Sequence, residues 1–370
     1  MAVKNALGII FSNTYDETLP EITALRAIGS VPFAGRYRLI DFPLSAMVNA
    51  GITKVGVITN SNYRSLMDHL GNGKPWDLSR KNDGLTLLPP FNMPDVGIST
   101  DKIPALYGSI GYISDSGKDY VIITDCNIVC NIDYEDMINC AAAKNADAVI
   151  ACTDGLPPEI RDATEVVCDE SGKITDLKRI DYYSKAVTYS MKICVIRRVL
   201  LERLLHEANA KRISTFEELF ATNVSNINTY VYKYEGYSKA IGSITSYYEA
   251  CMDLLNPETR KFLFDPDRPV YTKIGDRVPA VYGISASVSN SLVADGCVIE
   301  GEVENCILFR GVKIGKDAKI KNSIIMQNTV IGDKAEIECV IADKDVTIKT
   351  GQKLCGASSY PIYIGKGIVI

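Results

Sequence analysis

Short runs of β-branched and aliphatic residues recur through the first two thirds of the chain, at Val55–Thr59, Tyr120–Thr124, Ala148–Cys152 and Ile193–Ile196. Between them, at Tyr134–Lys144, Val199–Ala208 and Ser246–Leu255, apolar residues fall three and four apart, which places a stripe on one face of a helix. Strands alternating with helices in this way predict a doubly wound α/β domain, a mostly parallel sheet covered by helices, over residues 1–255. The pattern changes after that. Pro257, Pro266, Pro269 and Pro279 interrupt the periodicity, so residues 256–284 read as a linker. Beyond it, apolar residues recur every six, at Leu308, Ile314, Ile320 and Met326, then Ile331 and Ile337, with Gly311, Gly315, Asn322, Asn328 and Gly332 interleaved. Such a period belongs to a solenoid in which each short strand makes one side of a coil and small residues turn the corners. Three to four coils of a β-helix are expected in Ser285–Gly356, within a domain spanning 285–370. Its flat outer faces and terminal edge suit oligomerisation.

Composition narrows the function. A chain of 370 residues, 46% hydrophobic and 23% charged, suits two ordinary globular domains. A net charge of -5 argues against a nucleic-acid partner, which demands a basic face. No apolar stretch reaches the roughly 18 residues of a membrane span, and MAVKNALGIIFSN carries no small-residue cleavage site, so a cytoplasmic protein with no membrane partner is expected. The 11 cysteines contain no CxxC pair and often sit in apolar runs, as reduced core thiols do. His69 and His206 are the only histidines, which excludes a histidine-rich metal site and leaves two surface or internally satisfied side chains.

Two segments carry a family resemblance: Val31–Ser45, reading VPFAGRYRLIDFPLS, and Leu70–Leu78, reading LGNGKPWDL. Further matches are LLPP at Leu87–Pro90, NIDY at Asn131–Tyr134, GSITSYYEA at Gly242–Ala250 and MDLL at Met252–Leu255. In this order they resemble bacterial ADP-glucose pyrophosphorylase (glucose-1-phosphate adenylyltransferase), and with the β-helix the resemblance covers nearly the whole chain. It implies a Rossmann-like, GT-A-like nucleotidyltransferase domain followed by a left-handed parallel β-helix of hexapeptide repeats. The implied reaction is attack of the glucose 1-phosphate phosphate on the α-phosphorus of ATP, releasing pyrophosphate. Such transfer needs charge neutralisation more than covalent chemistry: a Gly-rich loop, basic side chains and carboxylates on Mg²⁺.

At the positions where the family carries those parts, this chain differs. The glycines of the family's L-A-G-G-x-G-x-R loop fall on Asn13, Thr14 and Asp16, and its arginine on Thr18. Glycine lets the backbone approach phosphates, whereas Asp16 and Glu17 are expected to bring negative charge there. The family lysine falls on Ile28, with Arg26 nearby as weak compensation. The two metal carboxylates fall on Asn127 and Ala240; a neutral amide cannot offset the metal's charge and alanine offers no ligand. Asp125, two residues from Asn127 along a strand, is a possible substitute. On the sugar-phosphate side Arg179 stands for a lysine, Ser190-Met-Lys192 replaces an S-M-G turn, Thr215-Phe-Glu-Glu218 replaces D-F-G-K, and Asp101-Lys-Ile103 falls on the nucleotide-contacting G-T-A. Arg179 and Ser190 remain candidates for a degenerate anion site.

The resemblance and these losses together imply the noncatalytic, activity-modulating subunit of a two-polypeptide pyrophosphorylase. Its expected partner is the catalytic subunit, in a mixed tetramer, with homo-oligomers also possible. No cofactor is expected for this chain, Mg²⁺ belonging to the catalytic partner. Two alternatives stay open: an active nucleotidyltransferase with a rearranged site, or a sensor using the degenerate cleft. An acyltransferase, another use of hexapeptide coils, is disfavoured because no histidine follows His206.

Overall fold

A computed structural model describes residues 5–89, 101–160, 162–180, 185–224 and 226–370; Pro90 of the LLPP match lies outside them. The α/β part contains strands β1 (Ala6–Phe11), β2 (Pro32–Phe33), β3 (Tyr37–Arg38), β4 (Lys54–Ile58), β5 (Gly84–Leu88), β6 (Tyr120–Asp125), β7 (Ile128–Cys130), β8 (Ala148–Gly155), β9 (Thr164–Cys168), β10 (Ile174–Arg179), β11 (Val187–Arg197), β12 (Thr229–Lys233) and β13 (Ser238–Ala240). Its helices are α1 (Pro20–Thr23), α2 (Asp41–Asn49), α3 (Arg64–Leu70), α4 (Lys102–Gly108), α5 (Ile110–Ser114), α6 (Tyr134–Ala143), α7 (Arg198–Lys211), α8 (Phe216–Asn223) and α9 (Ile244–Met252), with α10 (Pro257–Leu263) following.

One nine-stranded sheet runs β10-β9-β11-β6-β1-β4-β5, with β8 pairing both β11 and β12. It is parallel from β6 through β1 and β4 to β5, while β11 runs antiparallel to β6 and β8. Every residue of central strand β1 is buried, and alternate residues serve opposite cores. Ala6 and Ile10 pack with Leu44 and Met47 of α2 and Met137 of α6; Leu7, Ile9 and Phe11 pack with Leu106 of α4 and Leu201, Leu204 and Leu205 of α7. Helices therefore cover both faces, which is why β1 reads as a continuous apolar run.

The β-helix begins before residue 285 and has more coils than the six-residue count suggested. Its first coil is β14 (Val281–Tyr282), β15 (Ser287–Ser289) and β16 (Leu292–Val293), each the first strand of a five-stranded parallel face. The described residues thus form five coils of a left-handed parallel β-helix. The linker stretch 256–284 is correspondingly not irregular throughout: α10 occupies part of it, with Pro257 in its first turn and Asn256 capping it by accepting the Glu258 N–H.

The sequence period slips at Met326. Ile325 points into the coils with Leu308 and Ile314, whereas Met326, Ile307, Phe309, Ile324 and Ile341 belong to a core shared with Val31, Phe33, Tyr247 and Leu254 of the α/β domain. The third face of the β-helix is therefore apolar on both sides, as the pairs Ile307-Leu308 and Ile324-Ile325 show. Fully burying five such side chains is worth on the order of 10 kcal/mol. At one corner Asn290, Asn305, Asn322 and Cys339 all take the left-handed conformation, which asparagine tolerates better than most residues. The Asn290 Nδ2 donates to Asn305 Oδ1 at 2.7 Å, and Asn305 Nδ2 to Asn322 Oδ1 at 3.3 Å.

Candidate functional site

Strand β1 adjoins β4 on one side and β6 on the other, so the chain switches direction of winding there, and ligands of such sheets bind beyond the carboxyl ends of the strands. The loop leaving β1 is tied down at this point. Asn13 Oδ1 accepts from the Ser12 and Thr59 hydroxyls and the Asn60 N–H, at 3.0, 3.0 and 2.9 Å. Its amide nitrogen donates to Asp16 Oδ2 at 2.5 Å and to the Ser61 carbonyl at 3.0 Å. Thr14 donates to Asp125 Oδ1 at 3.2 Å, and Thr18 to the Tyr15 carbonyl at 2.9 Å. The side chains of this loop thus satisfy one another, and the Asp16 and Thr18 N–H groups donate to the Asn13 and Tyr15 carbonyls.

Asp16 departs from expectation. It does not project charge toward a phosphate: Oδ1 accepts the Ile28 N–H at 2.7 Å, and burial pushes its carboxyl up to about 7 despite these hydrogen bonds. Ile28 itself is buried in the shared core. Arg26 does not compensate for the missing lysine either. It lies 3% exposed against Asp343, 2% exposed, in a two-pronged pair at 2.7 and 2.9 Å, with Tyr363 donating to the same carboxylate at 2.8 Å. That arginine holds the β-helix, not a nucleotide.

Asn127 and Ala240, far apart in sequence, come together. Ala240 of β13 pairs with Ile128 of β7, and the Ile241 N–H donates to the Asn127 carbonyl at 2.7 Å. The Asn127 amide nitrogen donates to the Ile241 carbonyl at 3.2 Å, leaving its Oδ1 buried without a partner. That single neutral oxygen is a poor fit to Mg²⁺: Ala240 has none to add, and Asp125 Oδ2 accepts from the Lys102 ammonium at 2.5 Å. Among the described residues no cluster of three potential metal-binding side chains occurs. Burial raises the Asp125 carboxyl even so, with Lys102 opposing.

On the sugar-phosphate side, Lys192 holds a left-handed conformation at φ 56° where the family pattern has glycine, a strain of roughly 1–2 kcal/mol. Its ammonium donates to the Asp162 carbonyl and to Thr164 Oγ1 and pairs with the Asp162 carboxylate at 3.4 Å. Burial opposes ionisation of Asp162, yet Lys192, Lys102 and the Tyr15 hydroxyl hold it below the usual range. Ser190 Oγ accepts the Lys192 N–H at 3.1 Å. Ser190, Lys192, Lys102 and Asp125 line a slot together with mostly apolar side chains, among them Ile123, Ile150, Leu177, Phe216 and Phe220. The cavity is about 50 Å³, room for a few waters. Arg179, exposed at the end of β10, does not line it.

The retained motifs do different work. His69 is buried, its Nε2 2.6 Å from Asp41 Oδ1, and burial lowers its pKa against the pull of Asp41. Ser45 accepts the Tyr271 N–H at 2.8 Å, Asn131 donates to the Leu263 and Arg268 carbonyls at 3.0 and 2.9 Å, Tyr247 donates to the Pro32 carbonyl at 2.7 Å and Tyr248 to the Asn322 carbonyl at 2.6 Å. The Tyr247 bond braces the α/β domain internally, and the others fasten it to α10, to the segment after α10 and to the β-helix. Where the three meet, Arg36, Arg38, Lys273, Arg277, Arg310 and Lys344 line a pocket of about 270 Å³ that no aspartate or glutamate lines. Burial among cations lowers Lys344 to about 7. Sequence reasoning missed this pocket because its cations are spread from Arg36 to Lys344.

Residues 8–179 match the nucleotidyl transferase family and residues 278–358 the GlmU-like C-terminal hexapeptide family. The chain is 38% identical to glycogen biosynthesis protein GlgD of Bacillus subtilis over 98% of its own length and 96% of that protein's. It is 37% identical to GlgD of Geobacillus stearothermophilus, covering 85% and 82%. With the glucose-1-phosphate adenylyltransferase of Clostridium perfringens strain SM101 it shares 31% over 100% and 97%.

Proposed function

Starting from the fact that the chain belongs to the glucose-1-phosphate adenylyltransferase family, which includes the GlgD glycogen biosynthesis proteins, we propose that it is a noncatalytic, regulatory subunit. It would associate with a catalytic relative in the cytoplasm, in a mixed tetramer, and alter that enzyme's turnover or affinity. The observation that carries this reading is the paired state of the former catalytic cleft, with Lys102 on Asp125 and Lys192 on Asp162. The positions that match the family's metal carboxylates carry Asn127 and Ala240 instead, and the β1 loop is tied down by the Asn13 side chain.

The basic pocket supports regulation over mere scaffolding. Six basic side chains around about 270 Å³ suit a small polyanion, such as a phosphorylated metabolite, whose binding would bear on both domains at once. No helix among the described residues is long and apolar enough to cross a membrane. The test is to assay the chain alone and mixed with a catalytic relative, with saturating ATP, glucose 1-phosphate and Mg²⁺. No product alone and a raised catalytic efficiency in a larger co-eluting complex is the expected result. Separate elution with unchanged kinetics rejects the modulating role.

A further inference from the structure

The basic pocket between the domains holds one side chain unlike the rest. Five of its six basic residues are committed to the fold. Arg38 donates to the Ser65 carbonyl and hydroxyl at 2.6 and 3.0 Å, Lys273 to the Asp68 carbonyl at 2.6 Å and Arg277 to Asn328 Oδ1 at 3.1 Å. Arg310 pairs with Asp295 at 3.2 Å, and the Arg36 guanidinium lies over the Tyr37 ring, 5.2 Å from its centroid. Among the described residues the Lys344 amine has no hydrogen-bond, ion-pair or ring partner. Its backbone is nevertheless fixed. The Lys344 N–H donates to Asp343 Oδ1 at 2.7 Å, its carbonyl accepts the Gly367 N–H at 3.0 Å, and Asp343 is itself held by Arg26. The side chain thus leaves a rigid point and brings an unpaired amine to the pocket wall.

Such an amine among cations is driven toward its neutral form. Burial, then Arg38 and Arg26, lowers Lys344 from 10.5 to about 7 against the opposing pull of Asp343. At pH 7.5 roughly three quarters of an amine of that kind is uncharged with its lone pair free, against about one part in a thousand of an ordinary lysine. Nucleophilicity falls with basicity, and a slope of about a half, as for thiolates, leaves a gain of about tenfold. Lysines beside other cations become nucleophiles in this way. The pocket also selects the electrophile. With no aspartate or glutamate lining it, it concentrates reagents that carry phosphate, and its fixed guanidiniums steady the charge of a phosphate as it leaves. A volume of about 270 Å³ admits an acyl phosphate with a short acyl chain.

We propose that Lys344 is a site of non-enzymatic acylation by short-chain acyl phosphates drawn into this pocket. The neutral amine attacks the acyl carbon and the bond from that carbon to the phosphate oxygen breaks. Phosphate leaves with the electron pair, and the proton of the nitrogen passes to it as the amide forms. The acyl group then occupies the pocket and removes a donor, so anion binding is lost. The inference rests on the pocket being an anion site, and the test separates the two. The full chain is incubated with acetyl phosphate at pH 7.5 and acetylation of each lysine is followed by peptide mass spectrometry, while binding of inorganic phosphate is measured by calorimetry. Lys344 should be acetylated about tenfold faster than the exposed Lys313 and Lys349. Inorganic phosphate should protect Lys344 alone, and Arg36→Gln should slow its labelling while the two reference lysines keep their rates. Phosphate binding with Lys344 labelled no faster than the references overturns the acylation site and leaves the anion site standing. Fast labelling that phosphate does not slow overturns delivery through the pocket, and neither binding nor preferential labelling removes both readings.

Discussion

The pair between Arg26 and Asp343 gives the sharpest test of how the two domains are joined. Both side chains are essentially out of solvent. In Asp343→Leu the guanidinium loses two charge-assisted hydrogen bonds and the Tyr363 hydroxyl loses its acceptor. Leaving one buried charge unpaired costs about 3–5 kcal/mol, and Arg26→Met strands the carboxylate at a similar cost. Removing both charges together avoids that penalty. The double variant Arg26→Met, Asp343→Leu keeps comparable volume and leaves unmet the tyrosine hydroxyl and the Lys344 N–H, which donates to Asp343 Oδ1 at 2.7 Å, at about 1–3 kcal/mol each. The singles should therefore sum to well over the double, with a coupling of about 3 kcal/mol. Urea unfolding would be followed by the fluorescence of the single tryptophan, Trp76, which lies in the α/β domain, and by far-ultraviolet circular dichroism, which sees both domains. The two probes should coincide in the unaltered chain and the double variant and separate in the singles. Single variants that each lose less than about 1 kcal/mol, or a double variant equal to their sum, would refute a buried, uncompensated pair as the cost.

Two further outcomes follow from the cleft. Asn127→Asp with Ala240→Asp should not restore ADP-glucose synthesis, because the β1 loop stays closed and Lys102 and Lys192 stay in place. The first change should also lower stability, since an amide donating to the Ile241 carbonyl becomes a carboxylate facing it; robust turnover from the two aspartates alone would show the loop to be harmless. Asp16, held at about 7 in the fold against 3.8 when free, favours folding below its unfolded pKa and loses that contribution as pH rises toward 7. Unfolding free energies measured between pH 4 and 8 should then fall less steeply in Asp16→Asn than in the unaltered chain, and parallel curves would contradict this assignment.

Much of the architecture was readable from periodicity. Helix α6 runs Tyr134–Ala143 against an expected Tyr134–Lys144, and β6 runs Tyr120–Asp125 against Tyr120–Thr124. The α9 stretch was right in kind but is Ile244–Met252, its last turn tightening into a 3₁₀ segment at Asp253–Leu255. The coil count fell short because the span 285–356 leaves out a strand at each end, Val281–Tyr282 before it and Ile362–Ile364 after it. At the site, residue losses at Asn127 and Ala240 were legible and the structure brings those positions together. What fills the space was not. Lys102 and Lys192 look like drift in a sequence, and only their distances to buried Asp125 and half-buried Asp162 show that each pairs with an acid. Arg26 was misread for the same reason, its partner lying 317 residues away.

The double-sided apolar face of the β-helix bears on how the chain is made. A free solenoid behaves as a one-dimensional stack, each coil held only by its neighbours and able to fray from either end. Here the middle coils are also pinned sideways through buried Ile307, Ile324 and Ile341, and the end coils more lightly through half-buried Leu292 and Tyr363, so fraying is opposed along the whole stack. During synthesis the α/β domain precedes the coils and folds first. As Ile307, then Ile324, then Ile341 leave the ribosome in that order, each meets an apolar surface already in place. The older domain thus serves the growing β-helix as a mould, and the coils need not wait for one another to find their register.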